Sequence, residues 1–291
     1  MKKNHMSTKY LVLFFALTLA WTWICGFIPV VFGFTSTGAG TFIFYFGGGA
    51  PSVVALFLVF LTYPKDKIKD YFRRCISFRQ MGWKWPLLTF AIFAFLSFIS
   101  IAAGVGLLGY EMPTMDYLRA VAANPFNIFL VLLLSLISGP LNEEFGWRGY
   151  SLDRLLVRFG FLKGSLILGF FWAIWHLPWY FTPGQAQYNL LKDSPFHALM
   201  FIPSVMMLSV FVSFVYVKTD RSILAGALVH MFSNLAGSQL ISSYTTEISM
   251  LIRYTNMAFF LGVIVYTALS RRFKEETSAV IGSIQKQEQE A

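Results

Sequence analysis

Charge is scarce in this chain: 13% of its 291 residues are Asp, Glu, Lys or Arg, about half the share carried by a soluble globular domain. With a mean hydropathy of +0.61, there are too few polar groups to cover a water-exposed surface, which excludes an ordinary soluble protein. Cysteine is nearly absent. Cys25 lies in an apolar run and Cys75 in a basic stretch, so a disulfide framework and a cysteine-based zinc site are both excluded. No HExxH stretch and no internal repeat occur. Acidic residues are few as well, 14 against 23 Lys and Arg for a net charge of +9. In a soluble protein that balance would suggest nucleic acid; here it is first a matter of membrane topology.

What is abundant is apolar length. Runs of about 20 apolar residues, enough to cross a ~30 Å hydrocarbon core, predict an all-α polytopic transmembrane helix bundle of about eight spans. They are Leu11 to Phe32, Thr41 to Tyr63, Pro86 to Leu108, Phe126 to Glu144, Ser165 to Phe181, Ala198 to Val217, Ser222 to Ile241 and Ser249 to Ser270. The first continues past Thr18-Leu19-Ala20 without a polar break, so it reads as a retained span rather than a cleaved signal peptide. Gly47 to Pro51 predicts close packing or a break in the second span, and Gly139-Pro140 a kink in the fourth.

All but Arg119, Lys192 and Arg253 of the 23 Lys and Arg residues fall on one side of this topology. The asymmetry predicts that both termini are cytoplasmic, and it accounts for the basic balance without nucleic acid. Pro64 to Lys84 is expected to be a basic loop. Residues 1–274 read as one integral-membrane domain, and 275–291, rich in Glu, Gln and Ser, as a polar cytoplasmic tail.

Ionisable groups at membrane depth cost at least ~2.5–3.5 kcal/mol on insertion scales, so they are the informative residues. Arg253, close to an expected helix end, reads as a snorkelling cation. Three clusters remain: Asn142-Glu143-Glu144 with Arg148, Trp172 with His176, and His230 with Asn234. On helices, Glu144 and Arg148 share a face, as do His230 and Asn234. At ~1.5 Å rise per residue, His176 lies roughly 17 Å and His230 roughly 12 Å from the cytoplasmic starts of their spans. The clusters are therefore expected to meet in the inner half of the membrane, in a cavity that water reaches from the cytoplasm.

These residue types suit water activation. Glu143 is the candidate general base and His176 holds or polarises the same water, while His230 and the Asn234 amide stabilise an oxyanion. Arg148 is expected to pair with Glu144, and the tryptophans and phenylalanines around His176 to pack. A proton-relaying, ion-coupled transporter and a non-catalytic scaffold use some of the same residue types and are the alternatives.

At these positions the sequence resembles the CPBP family of intramembrane proteases, the group of type II CAAX prenyl endopeptidases and bacteriocin-processing or immunity proteins also called the Abi family. Its motifs EExxxR, FxxxH and HxxxN stand here as Glu143-Glu144…Arg148, Trp172…His176 and His230…Asn234, with Trp where Phe is usual. The motif core falls within 139–241. The resemblance implies an endopeptidase acting on a membrane-associated or lipid-anchored peptide, with the same roles for Glu143, His176, His230 and Asn234. Zinc, if bound, would take Glu143, His176 and His230. The expected chemistry is metal-independent and uses no cofactor. The expected partners are the lipid bilayer and a membrane-associated peptide or protein substrate, with no nucleic acid. The expected location is a multi-pass position in a cell membrane, the bacterial cytoplasmic membrane. A non-catalytic immunity protein is a further alternative within this resemblance.

Overall fold

A computed structural model describes residues 6–114, 116–236 and 245–289, and among them every regular element is helical. The expected end of the seventh span at Ile241, together with Lys2, Lys3 and His5, lies outside the described residues. The first half comprises α1 (Thr8–Val31), α2 (Gly38–Gly48), α3 (Ala50–Thr62), α4 (Lys65–Ile76), α5 (Phe78–Met81), α6 (Lys84–Leu108) and α7 (Asp116–Ala122). Next come α8 (Pro125–Ile137), α9 (Pro140–Glu144), a π-helical segment (Phe145–Leu152), α10 (Asp153–Trp175) and a 3₁₀ turn (Leu177–Phe181). The chain continues through α11 (Ala186–Asp193), α12 (Pro195–Lys218), α13 (Ile223–Asn234), α14 (Thr246–Leu269) and α15 (Arg271–Gln289).

The span count differs from the expected eight. Among the described residues, five helical stretches are long and apolar enough to cross a membrane, and a sixth is gained by counting α2 and α3 as one span bent by 47°. Three local causes account for the difference. Gly47 to Pro51 breaks the second span outright. The expected fourth and fifth spans fall within one 57-residue stretch of successive helices, Pro125–Phe181, broken at Gly139 and kinked at Gly160. The seventh is only 12 residues long as described, short of the ~20 needed to cross.

Two segments read as irregular are helical. The basic loop folds into α4 and α5. The expected polar tail from residue 275 lies in α15, which buries Phe273, Thr277 and Ile284; their spacing by one and then two helical turns makes a stripe that Glu- and Gln-rich composition concealed.

The core is built around α10, which packs along α12, with the π-helical segment against α3. At Gly146 a Cβ would collide with the Pro51 carbonyl oxygen, so any larger residue would separate α3 from the segment that carries Arg148. Gly160 adopts φ +71° and kinks α10, a conformation that costs an L side chain strain. Polar ties close the bundle across helices. Trp175 Nε1 donates to Thr22 Oγ1 at 2.7 Å and Thr22 donates to the Gly47 carbonyl at 2.8 Å, joining α10, α1 and α2. The outer faces carry Phe42, Phe57, Phe95, Phe98 and Phe129, all exposed, as a lipid-facing surface requires.

Candidate active site

The site begins at a break. Gly139 has φ −152° and ψ −69°, and Pro140 starts α9 at its first position, where a missing N–H costs nothing. This restart places Glu143 and Glu144 in one turn, with the Glu143 amide donating to the Gly139 carbonyl at 2.8 Å. The two carboxylates then diverge in partners.

Glu144 is fully buried and neutralised. Its Oε1 accepts from Arg148 Nη1 at 2.9 Å and from His230 Nδ1 at 3.0 Å. Arg148, also fully buried, donates further to Ser209 Oγ at 3.2 Å, and Ser209 donates to the Ser165 carbonyl at 3.0 Å. The Arg148 guanidinium also lies 4.7 Å from the centre of the Trp172 ring. One ion pair therefore ties α9, the π-helical segment, α10, α12 and α13 together. Removing either partner from such a pair costs about 3–5 kcal/mol, because the other charge is left buried and alone.

Glu143 receives a neutral donor instead. Trp172 Nε1 donates to its Oε2 at 2.7 Å, and Glu143 lines a cavity of about 360 Å³ together with Trp172, His176, His230 and Asn234. His176 hydrogen-bonds through Nδ1 to the Trp172 carbonyl at 2.9 Å. A carbonyl only accepts, so Nδ1 carries the proton, and in the neutral ring Nε2 is left as an acceptor. His230 is oriented by the same logic, its Nδ1 donating to Glu144. The His230 ring also packs edge-on against Trp172, 4.8 Å between centroids.

Every sequence-predicted site residue thus has a place here. Glu143, His176, His230 and Asn234 line the cavity, and Glu144 with Arg148 forms its buried support. Its depth differs from expectation. The lining comes from the C-terminal ends of α10 and α13 and the N-terminal halves of α12 and α14. Those ends lie away from the Lys- and Arg-rich segments. The cavity consequently reaches from mid-bundle toward the end with few positive charges, including Gln185 and Gln187, rather than lying in the half nearer the basic end. The cause is α10, which starts at Asp153, well before the expected Ser165, so His176 caps its far end.

Sequence reasoning missed three contributors. Trp172 was assigned to packing, yet it holds the Glu143 carboxylate; no local signal separates a hydrogen-bonding indole from a packed one. Ser209 reaches Arg148 only through the α10–α12 contact. Arg253 was assigned to snorkelling, whereas it lines the cavity; the signal was the isolated cation in an apolar run.

As for metal, no group of three His, Cys, Asp or Glu side chains among the described residues stands close enough together to hold an ion. Glu143, His176 and His230 share a cavity without converging on one point, so this donor set does not fit zinc as it stands.

Comparison with known proteins agrees with the motifs. The family model described as type II CAAX prenyl endopeptidase Rce1-like matches residues 125–236, which contain the whole lining from Glu143 to Asn234 except its α14 side. CAAX prenyl protease 2 of Methanococcus maripaludis is 25% identical over 239 residues, covering 81% of this chain and 87% of that protein. With three motifs gathered around one cavity in a multi-pass helical membrane protein, the chain is similar over residues 125–236 to the Rce1-like type II CAAX prenyl endopeptidases, a likeness that supports a CAAX-type endopeptidase.

Proposed function

We propose that the cavity hydrolyses a peptide bond of a membrane-associated or lipid-anchored peptide by a glutamate-activated water, in a bacterial cytoplasmic membrane. The observation that carries this reading is the shared cavity of Glu143, His176, His230 and Asn234, with Glu143 held at one oxygen by Trp172.

Glu143 keeps its second oxygen for a water. His176 Nε2 accepts a hydrogen bond from the same water and helps orient it. As Glu143 takes the proton, the water oxygen bonds to the scissile carbonyl carbon, and the carbonyl oxygen gains the negative charge. His230, as an imidazolium whose Nδ1–H is held by Glu144, donates its Nε2–H to that oxyanion together with the Asn234 amide. Collapse of the tetrahedral intermediate breaks the C–N bond, and the proton held by Glu143 passes to the leaving amine. Glu144 and Arg148 never meet the substrate; they fix the His230 ring and the turn carrying Glu143.

A peptide with one lipid-attached residue is a suitable substrate because the cavity lies within a helical bundle whose outer faces are apolar. The test is cleavage of lipidated peptides by purified protein in nanodiscs, read by mass spectrometry. Glu143→Gln keeps the shape and removes the base, and is expected to lower kcat by about 10²–10⁴-fold, the usual contribution of a general base, with the melting temperature unchanged. Turnover at the wild-type rate by a folded Glu143→Gln protein would sink the assignment.

A further inference from the structure

The cavity holds a second charged side chain that this chemistry leaves unused. Arg253, two turns into α14, lines the same wall-space as Glu143, His176 and His230. Its guanidinium lies 5.7 Å from the centre of the Phe201 ring. Among the described residues no carboxylate pairs with it. An arginine inside a helical bundle is costly unless it meets an anion or water, and a ring face is a weak substitute for either.

Asn256 supplies an independent observation. It stands at i+3 from Arg253, on the same face of α14, lines the cavity, and is 8% exposed. Its Oδ1 is buried with no hydrogen-bond partner, an arrangement that costs free energy until a donor arrives. A cation and an empty acceptor, one helical turn apart, match the two polar groups of a terminal amino-acid residue: its free carboxylate and its own amide N–H. Around them Phe201, Ile252 and Met257 are apolar, and suit an apolar side chain on that residue.

Resting on the hydrolytic reading above, we propose that Arg253 and Asn256 form a subsite for the free C-terminus of the peptide substrate. Arg253 pairs with the terminal α-carboxylate, and Asn256 Oδ1 accepts the N–H of the same residue. The subsite selects peptides ending near the scissile bond over internal segments, because only a chain terminus presents both groups together.

The experiment uses two lipidated peptides identical except for a C-terminal acid or a C-terminal amide, with the full chain in nanodiscs of neutral phospholipid. Wild type is expected to favour the acid by about 10- to 100-fold in kcat/KM, mainly through KM, the range of a charge-assisted hydrogen-bonded pair. Arg253→Gln is expected to bring the preference near unity, and Arg253→Lys to restore part of it. Equal cleavage of both peptides by wild type, or a preference that survives in Arg253→Gln, overturns the subsite. Loss of the acid preference on adding anionic phospholipid assigns Arg253 to a headgroup phosphate and overturns it as well. Fluorescence anisotropy of the labelled peptides on Glu143→Gln reads the acid preference without turnover, and so separates failure of the subsite from failure of the catalytic reading. If Arg253→Gln does not fold, Asn256→Leu is the second variant, expected to weaken acid-peptide binding about tenfold; unchanged binding overturns the assignment.

Discussion

Buried charge occurs at both ends of this bundle, and the two clusters are built differently. At the basic end Arg74 meets Asp70 at 3.1 Å and Asp153 at 3.3 Å, and Arg221 meets the same two acids at 3.3 and 3.7 Å. Tyr216 closes the ring, donating to Asp153 at 2.8 Å and accepting from Arg74 at 2.7 Å. Arg73, more exposed, adds a further contact to Asp70, and both acids are paired. At the cavity end the charges do not close. Glu144 pairs through Oε1 with both Arg148 and His230, whereas among the described residues Glu143 takes the Trp172 indole and Arg253 meets no carboxylate. A closed set fastens α4, α10 and α12 to one another; an open set keeps an acceptor and a cation for something that arrives. The difference separates structural buried charge from chemically competent buried charge, which composition alone treats alike.

The contrast breaks most visibly at the closed cluster. Arg74→Ala leaves Asp70 and Asp153 short of a partner and is expected to cost about 3–5 kcal/mol of stability, read as a lowered midpoint of thermal unfolding in detergent. Turnover per folded molecule should stay within about twofold of wild type. A large loss of kcat in that variant at full folding would show that the two ends are coupled rather than independent.

Trp172→Phe sharpens the contrast at the open end. It removes the Trp172 indole donor to Glu143 Oε2 while keeping an aromatic ring, so kcat is expected to fall about tenfold with KM little changed. The melting temperature should move by no more than a few degrees. Steady-state kinetics on a lipidated peptide decide it: a rise in KM alone would return Trp172 to pocket packing.

The smallest effect is in acid. Burial pushes the Asp70 carboxyl upward, but Arg74, Arg73 and Arg221 together hold it below its ordinary value of 3.8. A depressed folded-state value means stability that is present above about 3.8 and lost as pH falls through the lower folded value. Asp70→Asn should therefore flatten the acid side of the stability curve below that pH, by about 1 kcal/mol or less for a partly exposed group. Melting temperatures from pH 5 down to 2.5 test this; parallel curves for the two proteins would remove Asp70 from the linkage.

Much of the site was legible because membrane depth makes polar residues conspicuous. Glu143, Glu144, Arg148, His176, His230 and Asn234 stood out as costly groups in apolar runs, and the i,i+4 spacing of Glu144 and Arg148 predicted the ion pair at 2.9 Å. Arg253 stood out equally, but spacing along one helix cannot tell a cation that snorkels from one that faces a cavity made by four others. Arg74 was hidden for the opposite reason: a basic stretch reads as a solvated loop until Asp153 and Tyr216, far along the chain, are brought against it. Trp172 stood out only as an aromatic motif position and not as a donor, since packing and donation use the same residue.

By itself the sequence determined the class of solvent, the helical character of the runs, and which side chains had to be accounted for, because each follows from transfer free energies and a helical period that act locally. Only the tertiary structure decided how those runs are divided, at Gly49 and along Pro125–Phe181, and at which end of the bundle the cavity lies. It alone decided that Glu144 is neutralised while Glu143 and Arg253 face open space. Those outcomes depend on where one helix stops beside another and on which partner arrives from a distant segment, and no local free energy encodes that.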